Sequence, residues 1–432
     1  MATVNLPRFS LSKNITCVTC STEVTVFDFE GSEYVTCSKC FSYLHATDKG
    51  YNFIKKLTKP LLEPVLKIGS KGLLDGDEFI VITYLEKKER DTSYSWREYL
   101  VYNFNKGYAT LVEFDGHWSI VKGENFIPEL KDIKNDLFND INYNKISFSL
   151  FNKYTPVVKA MIGEADWDVI NDKVNAFEFI APPFMLVKEN PGPIFYLGEY
   201  IEASTIATAF GANIDIFPTK IGIGATQPSK FFDKWNNLFT ISGIAIILVL
   251  VIHLLVGFIK PEKELLNQDF SLTHVILNGT DEVKPFVSPD FIIDDVSSNI
   301  EFTMSSAVDN NWLEATIVLV NEGNNQTWEV TKGIEHYSGY EGGESWSEGS
   351  QTANIMLSNI PQGKYHLNIY PATGDVLRNN LYIKAIANSS LWRNTLLTAL
   401  LLCIYPAYCW IRMKNFEKKR WDNSDHSPYT SS

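Results

Sequence analysis

A run of apolar residues from Asn237 to Ile259 constrains this 432-residue chain more than any other feature. Its core, LFTISGIAIILVLVIHLLVGFI, contains no Asp, Glu, Lys or Arg, and His253 is its only ionisable side chain. At about 1.5 Å per residue, a helix of this length crosses a hydrocarbon core of roughly 30 Å. The core helix of a soluble domain is usually shorter and polar on one face. The run therefore predicts a transmembrane helix at 236–259, with the flanking segments on opposite sides of a bilayer.

A second apolar run, Thr395 to Ile411, is short for a membrane span but has tryptophans at both ends that suit the membrane interfaces. Pro406 would kink this helix, which neighbouring helices can tolerate. Five basic residues follow the run, and the positive-inside rule places such residues in the cytoplasm. We therefore predict a second span at 393–412 and a cytoplasmic tail at 413–432. The N terminus would be cytoplasmic, and residues 261–390 would lie on the extracytoplasmic side of the membrane.

The net charge of −13 is distributed unevenly along the chain. Residues 261–390 hold 18 acids against 6 bases, a net −12, whereas residues 391–432 hold 3 acids against 6 bases, a net +3. An acidic face keeps an outer domain soluble. It also disfavours nucleic acid, whose binding depends on the neutralisation of phosphates. We expect the lipid bilayer and proteins in or at the membrane as partners, and no nucleic acid.

Two CxxC pairs near the N terminus, Cys17/Cys20 and Cys37/Cys40, are the most specific chemical signal in the sequence. Each pair places two thiolates on one side of a tight turn, and two such knuckles close a tetrahedral site of four thiolates. The spacing predicts a zinc ribbon at 14–45 with structural zinc and no open position for a catalytic water. A redox dithiol pair is the alternative.

The segment between the two knuckles, Glu23 to Val35, alternates between apolar and polar residues. We expect it to form two strands with their turn at residues 30–32, so that a short hairpin connects the knuckles. The ribbon would then stabilise the fold or serve as a docking site for a partner.

From residue 64 to residue 210 the pattern changes to short strands separated by Gly and Asp turns. Asp115-Gly116 is a hairpin signal, and the whole stretch predicts an antiparallel sheet or a small barrel. Residues 129–142 carry apolar residues at helical spacing and predict a solvated surface helix. The clearest strand patterns are FIVITYL, WREYLVYN, YATLVEF and HWSIV.

The motifs WREYLVYN and KGYATLVEFDGHWS, within residues 96–119, resemble a family of bacterial domains of unknown function, number 4178. A second half also resembles that family, through Gly163-Glu164, FEFIAPP and LGEYI. The two halves span about 66–125 and 154–210. The resemblance implies that a zinc ribbon accompanies the domain, and it implies no activity, because none is established for the family.

Glu98 and His117 lie on strands that can pair, where they could meet as a catalytic base and the group that orients it. An enzyme site of this kind requires a concave pocket that holds both side chains with perturbed pKa values. Alternatively, Trp96 and Trp118 are core or groove aromatics, and Glu98 and His117 form hydrogen bonds that fix the hairpin. We favour the second interpretation because no catalytic set or phosphate loop is present. The four residues remain a candidate partner or ligand surface.

Between residues 265 and 388 strand follows strand, with Gly, Asn and Pro in the turns, which predicts an antiparallel β-sandwich of jelly-roll type. The segment 335–350 combines four glutamates with three aromatic residues. Such loops can bind sugars on aromatic platforms or calcium through carboxylates. The alternative is a long hairpin with solvated glutamates. The candidate ligand residues are Glu341, Glu344, Trp346 and Glu348.

These features together predict a mostly β, multidomain protein of the bacterial inner or plasma membrane. The leading functional hypothesis is a non-catalytic adaptor or sensor. It would link an extracytoplasmic sandwich, with its ligand, to cytoplasmic partners of the zinc ribbon and the β-rich domain. The alternative hypothesis is an enzyme whose site surrounds Glu98 and His117.

Overall fold

The computed structural model describes most of the chain, and half of the protein (50%) is strand and 19% is helix. The prediction of a mostly β protein is therefore confirmed. The chain divides into two compact units: unit 1 contains residues 1–236 and 408–432, and unit 2 contains residues 237–407. The described residues are 12–133, 140–190, 194–277, 280–374 and 380–429, without the side chains of Asp233, His274, Leu277, Thr280 and Asp281.

The N-terminal part of unit 1 contains two small hairpins, each built around one CxxC pair. Strand β1 (Lys13–Thr16) pairs with β2 (Glu23–Val26), so the first CxxC pair lies in the turn between them. Strand β3 (Tyr34–Thr36) pairs with β4 (Ser42–Thr47), so the second CxxC pair lies in that turn. The predicted hairpin with its turn at 30–32 is wrong, because β2 and β3 each pair across a knuckle and not with each other.

The main body of unit 1 is one antiparallel sheet of 14 strands within the described ranges, curved into a half-barrel. Besides β3 and β4 its strands are β5 (Gly50–Lys56), β6 (Lys71–Leu74), β7 (Asp77–Glu89), β8 (Ser95–Asn103), β9 (Gly107–Phe114), β10 (His117–Lys122), β11 (Ile141–Tyr143), β12 (Ile146–Tyr154), β13 (Pro156–Ala165), β14 (Asn175–Ala181), β15 (Phe184–Asn190) and β16 (Phe195–Ile201). Their order is β11-β12-β14-β15-β16-β10-β9-β8-β7-β13-β3-β4-β5, and β6 pairs with β7.

The ribbon is continuous with this sheet. Strand β13 pairs with β7 on one side and with β3 on the other, and β4 pairs in turn with β5. Residues 34–56 are therefore the last strands of the half-barrel sheet, and only β1 and β2 form a separate two-stranded sheet.

Side chains alternate between two environments along the central strands, as the pleat of a strand requires. Tyr99 and Trp118 lie on the face covered by helix α1 (Ala203–Phe210), where their rings stack with centroids 5.6 Å apart. Glu98 and Ser119, one residue away in each strand, line a cavity on the opposite face. The alternation thus decides which residues of the family motifs can reach a ligand.

The described residues do not form the surface helix expected at 129–142. A short 3-10 helix occupies Pro128–Asp132, and β11 begins at Ile141, while residues 134–139 lie outside the described residues. Leu130 of the 3-10 helix is buried in one cluster with Ile141, Phe148 and Phe179, so this segment packs on the half-barrel and is not a solvated surface helix. Two further 3-10 helices occupy Ile214–Ile216 and Trp421–Asn423.

Unit 2 contains a second antiparallel sheet, of eight strands within the described ranges, and a separate two-stranded hairpin. Its strands are β17 (Lys263–Ser271), β18 (His274–Leu277), β19 (Thr280–Val283), β20 (Phe286–Val287), β21 (Phe291–Ser305), β22 (Asn311–Asn321), β23 (Thr327–Glu341), β24 (Glu344–Ser350), β25 (Thr352–Thr373) and β26 (Asn380–Ala387). The sheet order is β17-β26-β21-β25-β22-β23-β24, with β20 on β25, and β18 pairs with β19.

The eight strands form one continuous sheet around a single apolar core, which differs from the two separate sheets of a jelly roll. The reason is strand β25, which is 22 residues long. Its residues 352–365 pair with β21, and its residues 365–373 pair with β22. A strand that changes partners along its length joins two layers that would otherwise be separate sheets.

Two long helices complete the chain, α2 (Phe232–Ile259) and α3 (Trp392–Arg420). Both are long and apolar enough to cross a membrane, by length and composition. Helix α3 contains Pro406 and continues to Arg420, past the end at residue 412 that the sequence suggested.

His253 of α2 faces the beginning of α3. Its Nδ1 lies 2.9 Å from Thr395 Oγ1, and its Nε2 lies 3.0 Å from Ser390 Oγ. Its ring also contacts that of Trp392, with centroids 4.2 Å apart. These contacts satisfy both ring nitrogens, so packing alone explains an imidazole within this apolar helix.

Candidate functional site

The four cysteine sulfurs converge between the two N-terminal hairpins. Cys17 Sγ lies 3.6 Å from Cys40 Sγ, and Cys20 Sγ lies 3.7 Å from Cys37 Sγ. All four sulfurs lie within 4.8 Å of one another. Sulfurs about 2.3 Å from a tetrahedral metal ion are about 3.8 Å apart, so the spacing fits a four-thiolate centre.

The chemistry of these thiols also suits a metal ion. Hydrogen bonding with Thr22 lowers the pKa of Cys20 to about 6, which favours the thiolate that binds metals. Cys17 and Cys37 are buried, whereas Cys20 and Cys40 are partly exposed. The four cysteines can therefore hold a metal ion at a partly buried position.

Glu164 joins the ribbon to the half-barrel. This residue of β13 is 1% exposed, and its carboxylate accepts hydrogen bonds from the backbone N–H groups of Phe27 and Asp28, at 2.7 and 2.6 Å. Ser32 Oγ lies 3.2 Å from the same carboxylate and donates a third. Burial raises the pKa of Glu164 to about 7, and these donors only partly offset that effect.

A cavity of about 920 Å³ occupies the concave face of the half-barrel. Its walls come from β8, β9 and β10 on one side and from β12, β14 and β15 on the other. Along β8, β10, β14 and β15 alternate side chains enter the cavity, because successive residues of a strand point to opposite faces.

Trp96 and Glu98 lie side by side on one wall of the cavity. Trp96 Nε1 donates a hydrogen bond of 2.7 Å to Glu98 Oε1, and Lys87 Nζ lies 2.7 Å from Glu98 Oε2. The Trp96 ring meets that of Tyr154 edge to face, with centroids 5.3 Å apart. Trp96 and Glu98, two of the four candidate surface residues, are therefore in contact, with Lys87 as a partner that the sequence did not indicate.

Two further glutamates, Glu178 on β14 and Glu189 on β15, lie on the facing wall. The hydroxyl of Tyr154 donates a hydrogen bond of 2.6 Å to Glu178 Oε1. Removal from bulk water raises the pKa of Glu178 to about 7, and the neighbouring charge of Glu98 adds to the effect. Burial also raises the pKa of Glu189, which the charge of Lys87 partly offsets. Sequence reasoning missed both residues, since only the sheet order brings β14 and β15 opposite β8.

His117 also lines the cavity, but it does not meet Glu98. Its Nε2 lies 3.2 Å from the carbonyl oxygen of Ile221, and its Nδ1 lies 3.4 Å from the hydroxyl of Tyr200. Burial lowers the pKa of His117. Glu98 on β8 and Ser119 on β10 both pair with Val112 on β9, so Ser119 lies two strands away from Glu98. His117 is two residues farther along β10, which places it roughly 10 Å or more from Glu98. Glu98 and His117 therefore do not form the contact between a base and its orienting group that the enzyme interpretation requires.

Trp118 belongs to the opposite face. It is 1% exposed and packs between Tyr99 and Phe217, whose ring centroid lies 5.4 Å away. This placement agrees with the interpretation of Trp118 as a core aromatic and removes it from any ligand surface of the cavity.

The residues that follow helix α3 close one side of the cavity. Arg420 is fully buried, and its guanidinium donates hydrogen bonds to the carbonyl oxygens of Gly224, Ala225 and Gln227, at 2.9, 2.7 and 2.6 Å. Residues 422–425 line the cavity. No local pattern near Arg420 indicates this contact, because its partners lie about 200 positions earlier in the chain.

Trp421 fixes the same segment to the wall. Its ring meets that of Phe151 with centroids 5.2 Å apart, and it packs in one cluster with Ile180 and Met185. Ser424 Oγ donates a hydrogen bond of 2.5 Å to the carbonyl oxygen of Phe151. We call Arg420 to Asp425 the closing segment.

The acidic stretch of unit 2 forms the hairpin of β23 and β24. Glu341 pairs with Glu344 beside a Gly-Gly turn, and both are exposed, as is Glu348 farther along the strand. Trp346 lies over Gly339 on the neighbouring strand, where an added Cβ would come within 2.8 Å of its ring. The hairpin therefore has solvated glutamates, with Trp346 covering a glycine.

A second cluster in unit 2 was not indicated by the sequence. Ligand atoms of Asp290, Glu322 and His366 lie within 4.8 Å of one another. Lys364 Nζ lies 2.5 Å from Asp290 Oδ2, so a side chain of the protein already supplies a positive charge there. His366 contacts Glu322, and all three ligand residues are at least partly exposed.

Solved structures offer only distant likenesses. A carbohydrate-binding module, CBM36, in complex with calcium and xylotriose matches at a TM-score of 0.15 and 13% identity, over 29% of this chain and 96% of that one. A structure of the Gx strain of infectious bursal disease virus matches at a TM-score of 0.17 and 11% identity, over 87% and 69% of the two chains. PNGF-II matches at a TM-score of 0.18 and 8% identity, over 72% and 67%. Likenesses this weak carry no conclusion.

No curated protein matches the chain. The family profile of a domain of unknown function, DUF4178, matches residues 67–203, which include β7 to β10 and the cavity wall of β12, β14 and β15. The motifs around Trp96, Trp118 and Glu164 predicted this family. Residues 67–203 of the chain therefore match the DUF4178 family, and the strands in this range form most of the half-barrel and most of the cavity wall.

Proposed function

We propose that this protein is a membrane-anchored, non-catalytic binding protein that acts as a sensor or adaptor. The supporting observation is the closing segment, which follows the second apolar helix directly and packs along the cavity of the half-barrel. A molecule in the cavity and the end of α3 would therefore act on the same residues. Coupling of this kind requires an element with two arrangements that both sites bias, and the closing segment is the candidate.

The contacts of Arg420 make the closing segment an all-or-none element. Its guanidinium donates to three carbonyl oxygens and is fully buried. A buried charge that loses its partners is strongly destabilised, so partial displacement is unfavourable. A ligand that displaces Trp421 would release the last turn of α3 in one step.

The anchoring part of the proposal uses helices α2 and α3 as the two membrane spans. The basic residues between Arg412 and Arg420 favour the cytoplasm for the end of α3. Unit 1 would then lie in the cytoplasm of a bacterial cell, and residues 261–390 outside the inner or plasma membrane. The bilayer and membrane proteins are the partners of this arrangement.

The ribbon and the outer sheet would supply the remaining contacts. We propose that Cys17, Cys20, Cys37 and Cys40 hold zinc in a structural role, since four thiolates leave no position for a catalytic water. The exposed hairpin with Glu341 to Glu348 offers an outer surface for a ligand or an envelope partner.

The alternative function is an enzyme that uses Glu98 and His117. One observation favours it, which is that both side chains line the same cavity. Each of them, however, has other partners, namely Lys87 and Trp96 for Glu98 and Ile221 for His117. The geometry supports binding better than proton transfer between these two groups.

The test compares wild-type protein, Trp421→Ala and Tyr429→Ala in inverted membrane vesicles of a bacterial host. Tyr429 is exposed near the end of the closing segment and is the matched control. Vesicles are washed with alkaline carbonate and digested with trypsin, and cleavage after Arg420 is measured by mass spectrometry. We expect the wild type and Tyr429→Ala to stay in the membrane and to resist cleavage after Arg420, because this residue is buried, unlike Lys418 and Lys419. Trp421→Ala should be cut.

Two results would contradict the proposal. Release of the whole chain by the alkaline wash would show that it is not anchored. Equal cleavage of wild type and Trp421→Ala would show that the closing segment is not held against the half-barrel.

A further inference from the structure

We infer that the cavity of the half-barrel binds an organic cation, an amine whose charged end meets Glu178 and Glu189 and whose apolar body lies against aromatic rings. This inference rests on the proposed function, because it names the class of ligand that the sensor would bind. Nothing in the family match assigns a ligand to this domain.

The size and lining of the cavity fit a small organic molecule. Its volume of about 920 Å³ lies within the range of roughly 300–1,000 Å³ that is usual for such sites. Eight aromatic side chains line it, among them Trp96, Tyr154 and Tyr196. Rings of this kind bind apolar groups and also attract cations to their faces.

The charged side chains that line the cavity favour a positively charged ligand. Ten acidic side chains line the cavity against two lysines, Lys87 and Lys153. Glu98 on one wall and Glu178 and Glu189 on the facing wall have Lys87 as a shared lysine, and Lys87 is already paired with Glu98 at 2.7 Å. Carboxylates held close together in a site of restricted solvent disfavour each other's ionisation, and a bound cation relieves that repulsion.

Glu178 and Glu189 stand where one ammonium group can reach both. They lie on neighbouring strands, where Glu178 pairs with Val187 and Glu189 pairs with Ala176. Both side chains are therefore on the same face and diagonal to each other, at a Cα separation of roughly 7–8 Å. An ammonium group between them can donate a hydrogen bond to each carboxylate.

The spacing of the carboxylates argues for an organic cation over a metal ion. Within the described residues, the groups whose ligand atoms lie within 4.8 Å of one another are the four cysteines and a cluster in unit 2. No set of three cavity carboxylates in the described part of the chain is that compact. A divalent ion requires several oxygens at about 2–2.6 Å, whereas an alkylammonium and its apolar body can use carboxylates and rings spread over a wall.

The experiment uses three probes of similar shape and different charge: 2-phenylethylamine, 2-phenylethanol and phenylacetate. Binding to the full-length protein in dodecyl maltoside is measured by isothermal titration calorimetry at pH 8, where Glu178 is ionised. A charge-assisted contact contributes about a tenfold to hundredfold gain in affinity. We expect the amine to bind at least about tenfold more tightly than the alcohol, and phenylacetate more weakly than either.

Three variants locate the effect. Glu178→Gln and Glu189→Gln each remove one charge with little change of shape, and each should lower the affinity for the amine about tenfold while the alcohol is unaffected. Glu199→Gln is the matched control, because Glu199 is exposed on β16 of the same sheet and does not line the cavity. Circular dichroism shows whether each variant is folded. If one of the two cavity variants does not fold, the other still tests the inference.

Equal affinity for the three probes, no binding of any probe, or an amine preference that survives in both cavity variants would each overturn the inference. None of these results affects the trypsin test of the closing segment, which uses no probe. If the trypsin test fails but the amine still binds in a charge-dependent manner, the sensor proposal is contradicted and the inferred class of ligand stands.

Discussion

Glu164 allows a quantitative test of how the ribbon is joined to the half-barrel. Its carboxylate accepts three hydrogen bonds from ribbon residues and is 1% exposed. The pKa is about 7 in the folded protein, against an ordinary value of 4.5. Between these two pH values the folded state holds a proton that the unfolded state has lost, so the free energy of unfolding falls as the pH rises.

The magnitude follows from the shift. For one group that titrates at 4.5 when unfolded and at about 7 when folded, the free energy of unfolding decreases by about 2–3 kcal/mol between pH 5 and pH 8. Glu164→Gln removes this titration and also loses hydrogen-bond acceptors for the ribbon N–H groups. We therefore expect the variant to be less stable than wild type, and the deficit to be larger at pH 5 than at pH 8 by about 2–3 kcal/mol.

Urea unfolding of the full-length protein in detergent, at four pH values between 5 and 8, measures this difference. Other titrating groups, including Glu178 and the cysteines, are present in both proteins and cancel in the comparison. Glu199→Gln, at an exposed position, should give a difference that does not change with pH. A deficit of Glu164→Gln that is constant with pH, or that grows towards pH 8, would refute the reasoning.

Three further predictions concern the metal centre, the core and the backbone. Cys37→Ser should reduce bound zinc from about one ion per chain to none by mass spectrometry of metals, while Cys403→Ser, in α3, keeps it; metal retained by Cys37→Ser would contradict the four-thiolate site. Trp118→Ala should destabilise the protein by about 3–5 kcal/mol in urea unfolding, since the ring is 1% exposed; a loss below about 1 kcal/mol would place the ring outside the core. Gly163→Ala should prevent stable folding, because its φ is +109° and an added Cβ would lie 2.1 Å from the carbonyl oxygen of Ile82; a variant with unchanged thermal unfolding would contradict this close approach.

Local patterns in the sequence predicted the central strands well. The alternation in WREYLVYN and the Asp115-Gly116 turn correspond to β8, β9 and β10, which pair as successive antiparallel neighbours. Such hairpins depend on residues close in the chain, so period and turn chemistry are sufficient. The CxxC spacing likewise brought together four sulfurs that can hold a metal ion.

Features that depend on distant residues could not be predicted. The ribbon was expected to be a hairpin between knuckles, but β3 pairs with β13, more than 100 residues later in the chain. Glu178 and Glu189 face Trp96 and Glu98 across the cavity only because the sheet curves into a half-barrel. Arg420 and Trp421 look like the end of a basic tail, and nothing near them in the chain indicates that both are buried.

The hairpin of β23 and β24 has a consequence for contacts between copies of the protein. Strand β24 is the last strand of its sheet, and every residue in it is exposed. Such an edge presents unpaired backbone N–H and C=O groups to which a strand of another chain could add. Glu344 and Glu348 lie on this edge, in a segment of net charge −12. Two copies that approached edge to edge would bring like charges together, so the acidic hairpin disfavours aggregation through this edge of the sheet in unit 2.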